Sequence, residues 1–286
     1  MDKIVENLIE HLVLERLEEN LFRGPSQDIG TSRVYGGQVL GQAIKAAQYT
    51  VEDDRPIHSL HAYFLREGDH DNPIIYEVDR SRDGRSFSAR RVVAIQHGRP
   101  IFTLSASFQV EEEGLEFQIP APDVPGPDEV PSVRDFESIF PDKLPEKFQR
   151  LLRVSAPFDL KPIGMENAIR DNSFTPCSHY WLKTAAALPN EAQLHRAILA
   201  YVSDYGLLTT TLIPHGLRFP ATNLVLASID HAMWFHRPFR IDEWVLYSSE
   251  AISTSNARGL ARGHFFNSDG QLIATTSQEG LLRKIS

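Results

Sequence analysis

Residues 58–109 read HSLHAYFLREGDHDNPIIYEVDRSRDGRSFSARRVVAIQHGRPIFTLSASFQ, and residues 228–278 read SIDHAMWFHRPFRIDEWVLYSSEAISTSNARGLARGHFFNSDGQLIATTSQ. The second stretch repeats the first in outline. His61-Ala62-Tyr63-Phe64 is echoed by His231-Ala232-Met233-Trp234-Phe235, Ser88-Ala89-Arg90 by Asn256-Ala257-Arg258, and Gly98–Ser107 by Gly270–Ser277. The separation lies well outside the roughly 20–50-residue period of solenoid repeats, so it marks a whole domain used twice. Runs of apolar and β-branched residues predict three antiparallel strands in each copy. They are Ile74–Ser81, Ser86–His97 and Pro100–Val110, then Trp244–Ser253, Ala257–Asn267 and Gln271–Arg283. His97-Gly98-Arg99 and Ser268-Asp269-Gly270 are hairpin signals between them.

One long helix precedes each strand run. In the first copy Val39, Leu40, Ala43, Ile44 and Ala47 share a helical stripe. Gly37 and Gly41 lie four apart and let the helix backbone approach a neighbour closely, which suits a helix lying against a sheet. In the second copy Leu194, Ala197, Ile198, Tyr201, Val202 and Tyr205 form the stripe of a helix expected over 194–208. The fold class read from this pattern is α+β. Between the copies the texture changes. Glu111-Glu112-Glu113-Gly114 is followed by prolines at 120, 122, 125, 127, 131, 141 and 145. Proline removes ladder donors, so no central strand is expected here. The stretch reads as an extended crossover linker over the surface, with a short helix around Pro145–Leu152. The expected units are 1–112, a linker at 113–155, and 156–286 carrying the active site.

The 286 residues suit about two domains. With 42% hydrophobic and 23% charged residues the chain is ordinary globular material. A net charge of −9 argues against general nucleic-acid binding. The single Cys177 excludes an intrachain disulfide and fits a reducing, cytoplasmic location. No apolar run reaches the length of a membrane span. The acidic N-terminus does not resemble a signal or transit peptide, and the Lys284-Ile285-Ser286 ending is not a peroxisomal address.

Most catalytic signatures are missing. There is no P-loop and no dinucleotide fingerprint; Gly84-Arg85-Ser86-Phe87-Ser88 lacks the closing glycine of a nucleophile elbow. His58/His61 and His231/His236 have odd spacings within expected strands, so neither pair is read as a chelate, and no metal or cofactor is expected. Cys177 has no motif around it. Three polar residues in apolar settings remain in the second copy. Asp204 continues the stripe of Ala197, Ala200 and Tyr201. A carboxylate on a core-facing stripe costs several kcal/mol unless paired. Such a residue can simply cap a helix end, yet the first helix has no acid at all. Ser228 and Gln278 lie in apolar strands, where such groups usually just satisfy local polar partners. Converging on one helix end, the three could hold a water while the carboxylate takes its proton.

The chain resembles the acyl-CoA thioesterase II (TesB-like) family of double hotdog proteins. The likeness rests on Leu21-Phe22-Arg23-Gly24, Val34-Tyr35-Gly36-Gly37-Gln38, His61–Arg66, Arg82–Arg90, Ile229–Phe239, Leu246-Tyr247 and Gln278-Glu279-Gly280. It implies two hotdog units, each a long helix wrapped by an antiparallel sheet, with the sheets joined side by side. It also implies an Asp–Thr–Gln triad that activates water; Asp204 and Gln278 match, and Ser228 stands at the Thr position. The expected activity is hydrolysis of fatty acyl-CoA. Arg90, Arg258 and Arg262 are candidates to meet the CoA phosphates, and a homodimer or homotetramer is expected. Two other readings stay open: a hotdog enoyl-CoA hydratase or dehydratase using His195 as base, and a non-catalytic acyl-CoA-binding protein.

Overall fold

Period-two burial runs through the long strands and makes them one-sided. In the strand Phe87–Gln96, Ser88, Arg90, Val92, Ala94 and Gln96 are buried and their neighbours face outward. The computed structural model describes residues 2–27, 33–135, 157–164, 177–217 and 223–285. The strands are β1 (Glu15–Glu18), β2 (Leu21–Gly24), β3 (Ile57–Phe64), β4 (Ile74–Asp83), β5 (Phe87–Gln96), β6 (Arg99–Gln109), β7 (Phe158–Pro162), β8 (Cys177–Thr184), β9 (Leu224–Ser228), β10 (Asp230–Phe235), β11 (Val245–Ser255), β12 (Arg258–Asn267) and β13 (Leu272–Lys284). They form one antiparallel sheet in the order β1-β2-β4-β5-β6-β3-β10-β13-β12-β11-β8-β7, with β9 also on β13. The two copies meet at β3 and β10, where His231 pairs with Ala62 and Met233 with Leu60. The hairpin turns use positive φ at His97, Gly98 and Gly270, as the turn signals predict.

The α-helices among the described residues are α1 (Lys3–Leu12), α2 (Gly36–Gln48) and α3 (Ala192–Ser203). Here the packing departs from expectation. The small-residue face of α2 lies against α3 rather than against the sheet. A side chain at Gly37 would meet the Tyr201 carbonyl oxygen at 2.1 Å, and one at Gly41 would lie 3.2 Å from that of Ala197. Contact partners descend along α3 as they ascend along α2, so the helices run antiparallel. Their apolar stripes share one core with the inner faces of both halves of the sheet.

The described part of the proline-rich segment forms no strand and carries a 3-10 turn at Pro127–Glu129 and a turn at 133–135. It covers the outer face of the second half. Trp181 Nε1 donates to the Pro125 carbonyl at 2.9 Å, and Val130, Trp181, Leu246, Phe266 and Leu272 form a second apolar cluster beneath it. The helix expected around Pro145–Leu152 lies outside the described residues. Among the described residues, no helix is long and apolar enough to cross a membrane.

Candidate active site

α3 is shorter than its stripe suggests. It ends at Ser203, Asp204 is its C-cap, and Gly206 at φ 73° turns the chain into a 3-10 helix over Leu208–His215. A helix end leaves its last carbonyls without intrahelical donors. Here tyrosine hydroxyls supply them. Tyr35 donates to the Tyr201 carbonyl at 2.8 Å, Tyr247 to that of Ser203 at 3.0 Å, and Tyr180 to that of Tyr205 at 2.8 Å. His231 Nε2 lies 2.9 Å from Ser203 Oγ, which itself donates to the Ala200 carbonyl. The backbone under Asp204 is thereby fixed from several elements. Tyr35, His231 and Tyr247 lie in stretches that carry the family likeness, but nothing in the sequence showed that their side chains brace this helix end.

A bulge aims the next two residues. Ser228 pairs with Gly280 and Ala232 with Ser277, so Ile229, Asp230 and His231 face only Gln278 and Glu279. Asp230 Oδ1 accepts the Glu279 N–H at 2.7 Å and holds the bulge. Its effect is that Ser228 and His231, an odd number apart, both reach the inner face. There Gln278, fully buried, donates from Nε2 to Asp204 Oδ1 at 2.7 Å and to Ser228 Oγ at 3.0 Å. Asp204 also takes hydrogen bonds from the Ser228 side chain and from the Gly37 N–H. The structure therefore brings Asp204, Ser228 and Gln278 together, and adds the N-terminus of α2 from the other copy. Gly37, read in the sequence as a packing glycine, and Gly36, quoted there only within the family likeness, are part of the site. A side chain at Gly36 would lie 2.7 Å from Asp204 Oδ2.

Burial among the tyrosines raises the Asp204 pKa from 3.8 to about 6, against the opposing pull of the hydrogen bonds from Gln278, Gly37 and Ser228. Within the clamp one strong acceptor stays unspent: Gln278 Oε1 is buried and has no partner among the described residues. A partly protonatable carboxylate beside a free amide oxygen is suited to hold water by both hydrogens and to remove one. No group of three or more His, Cys, Asp or Glu among the described residues could hold a metal ion.

The arginine expectations need correction. Arg90 is 2% exposed. All five of its N–H donors are spent within the protein, on Thr50 Oγ1, the carbonyls of Thr50, Arg82 and Ala89, and Asp83. It braces the end of α2 and has nothing to offer a phosphate. Arg90→Ala is expected to cost about 2–4 kcal/mol of stability and to leave KM for acyl-CoA unchanged, checked by thermal melts and steady-state kinetics. Arg258 and Arg262 project from the opposite face of the sheet to Gln278, since Ala261 pairs with Gln278 and Arg262 with Ser277. Each is held by a glutamate, Arg258 by Glu279 at 2.9 Å and Arg262 by Glu250 at 2.6 Å. His195 is also committed. Its Nδ1 accepts the Ile241 N–H at 3.1 Å and its Nε2 lies 3.2 Å from the Pro189 carbonyl. It sits at the far end of α3 from Asp204, so the hydratase reading loses the His195 base it named.

Comparison with known proteins follows the same division. The family model described as Acyl-CoA thioesterase N-terminal domain matches residues 22–109, and the model described as Acyl-CoA thioesterase matches residues 165–281. The chain is 41% identical to Acyl-CoA thioesterase 2 of Haemophilus influenzae over 283 residues, which covers 99% of each chain. It is 38% identical to human acyl-coenzyme A thioesterase 8, over 95% of this chain and 87% of that one. Among solved structures it is similar to acyl-CoA thioesterase II TesB2 of Mycobacterium marinum, with a TM-score of 0.80, 35% identity and coverage of 99% and 98%. A hot dog fold protein of unknown function from Alicyclobacillus acidocaldarius shares the fold at 19% identity, with a TM-score of 0.78 and coverage of 98% and 99%. The α+β architecture is a double hotdog.

Proposed function

Because this chain belongs to the acyl-CoA thioesterase family, of the TesB-like type, and is a thioester hydrolase, we propose that it cleaves fatty acyl-CoA to a free fatty acid and CoA with a water activated by Asp204, Ser228 and Gln278. The observation that carries this reading is the double hydrogen bond from Gln278 Nε2 to Asp204 and Ser228. With both amide hydrogens spent, Gln278 meets the water through Oε1, which accepts one hydrogen while Asp204 accepts the other. The water oxygen adds to the thioester carbonyl carbon and its proton passes to Asp204, a general-base step worth roughly 10²–10⁴-fold. The first turn of α2 lies beside the carboxylate and offers its positive dipole end to the oxyanion, its Gly37 N–H being spent on Asp204 and those of Gln38 and Val39 on the Tyr35 carbonyl. Collapse breaks the C–S bond, and the departing thiolate takes up the proton that Asp204 holds, which restores the base. A thiolate leaves readily, so no covalent nucleophile is needed. Ser228 keeps the hydroxyl of the Thr it replaces in the family pattern, and its hydrogen bond to Gln278 supports the same role.

The units 1–112 and 156–286, with the crossover between them, are proposed as two hotdog domains of which the second carries the acid and the amide and the first supplies the helix N-terminus. Assembly into a homodimer or homotetramer and a cytoplasmic location are proposed with them. Thiol release from a panel of acyl-CoA chain lengths tests the reading. Binding of palmitoyl-CoA without release of free thiol, or hydration of crotonyl-CoA in its place, would overturn it. The raised carboxyl gives a second check. A general base acts only when ionised, so kcat/KM is expected to rise with pH through an apparent pKa of about 6. A profile flat down to pH ~4, the range of an ordinary carboxylate, would remove Asp204 from the role.

A further inference from the structure

The duplication makes two helix-end junctions, of which hydrolysis uses one. Where the N-terminus of α2 meets the C-terminus of α3 stands Asp204. At the other end the N-terminus of α3 meets the C-terminus of α2, and Glu191 acts electrostatically on Lys45 and Tyr49 across it. The polar residues of the first junction are replaced here. The C-cap is Tyr49 where α3 has Asp204. In the register that matches Ser107 with Ser277, Phe108 stands where the last strand has Gln278. Hydrolytic chemistry is lost at this end, but the space is kept. A cleft of about 670 Å³ opens between Pro56 and Val110 of the first copy and the start of α3.

The floor of that cleft carries unspent donors. Arg196 is 8% exposed; it makes no hydrogen bond or ion pair among the described residues, its Nε is buried without a partner, and Glu111 acts on it only electrostatically across the cleft. In the aligned helices it stands where α2 has Gly41, so the second junction has gained a cation that the first lacks. Beside it the first-turn N–H groups of Ala192 and Gln193 have no acceptor within the helix, and Glu191 provides no side-chain cap. A guanidinium and a helix N-terminus facing one cavity are an anion site. The rim decides which anion. Asp53, Asp54, Glu111 and Glu191 are exposed around the opening and repel a polyanion such as the nucleotide of CoA. A single charge on Arg196, with the aliphatic remainder against Pro56 and Val110, meets less of that repulsion and fits the lining.

We propose that this cleft binds a monocarboxylate, with the carboxylate on Arg196 and the first-turn N–H groups of α3. The site shares no residue with Asp204, Ser228 or Gln278, so it stands whether or not the hydrolytic assignment does. A short-chain probe, 4-bromobutyrate, separates the two junctions. Titration calorimetry of the full chain is expected to give binding that Asp204→Asn leaves unchanged, Arg196→Gln weakens at least tenfold, and inorganic phosphate does not displace. Crystals soaked with the probe are expected to show the anomalous bromine signal in the cleft beside Pro56 and Val110. Unchanged binding to Arg196→Gln, equal competition by phosphate, or a bromine signal only at the Asp204 end would each overturn the proposal. Should Arg196→Gln fail to fold, the bromine position in the wild-type crystal decides alone.

Discussion

Asp204→Asn is expected to lower kcat by roughly 10²–10⁴-fold while making the protein more stable at neutral pH. Both effects come from one fact: the carboxyl is held where its charge is poorly solvated, and its pKa is raised to about 6. A carboxyl whose pKa is higher folded than unfolded binds its proton more tightly in the folded state. Its contribution to stability is therefore greatest below about pH 4, falls as pH rises from 4 to 6, and is a constant penalty above that. A shift from 3.8 to about 6 corresponds to about 2–3 kcal/mol at pH 7. Asparagine keeps an acceptor for Gln278 Nε2 and removes the charge. The melting temperature of the variant should thus pull ahead of the wild type between pH 4 and 7, and thiol release should be nearly lost at every pH. Near-normal release by the variant would exclude Asp204 as the base. A variant less stable at pH 7 than the wild type would show that the hydrogen bonds from Gln278, Ser228 and Gly37 outweigh the burial of the charge.

The parts of this molecule legible in the sequence are those that repeat. Strand pairs such as β5–β6 and β12–β13 were readable because each carries its own alternation and its own turn residues, with His97 and Gly98 at positive φ. Asp204 and Gln278 were readable as polar groups in apolar runs, Asp204 the more so because the first helix has no acid. The α2–α3 contact was not readable. A small-residue stripe says that something comes close, but not whether it is a sheet or a second helix from 150 or more residues downstream. The tyrosine hydroxyls on the carbonyls of Tyr201, Ser203 and Tyr205 were hidden for the same reason. Each is a single residue in a different element, joined to the others only by folding. Arg90 misled because charge in a strand suggests a ligand, whereas the folded chain spends all of its donors on backbone and side-chain groups near the end of α2. The bulge at Ile229 left no trace in the spacing, yet it is what lets Ser228 and His231 share a face.

Two adjacent glycines are expected to fail in different ways, and the difference tests whether the first copy builds part of the site. A methyl group at Gly36 would lie 2.7 Å from Asp204 Oδ2 and 3.0 Å from the Phe64 ring. Both neighbours are side chains, so the carboxylate can swing aside and the helix can stay in place. Gly36→Ala should keep its melting temperature within a few degrees, since the displaced groups are few. Its kcat/KM should fall about 10²-fold, the loss that follows when a reacting group moves by roughly 1 Å. A methyl group at Gly37 would instead lie 2.1 Å from the Tyr201 carbonyl oxygen. That atom belongs to the backbone of α3 and cannot turn away, so the helices themselves must part. Overpacking of this kind costs about 1–3 kcal/mol or more, and it acts on the core shared by both copies. Gly37→Ala should therefore melt well below the wild type, with activity lost in proportion. Melting curves and steady-state kinetics on the two purified variants separate these outcomes. If Gly36→Ala hydrolyses acyl-CoA at the wild-type rate, the N-terminal copy serves the site only as a scaffold, and the second copy alone sets the position of Asp204.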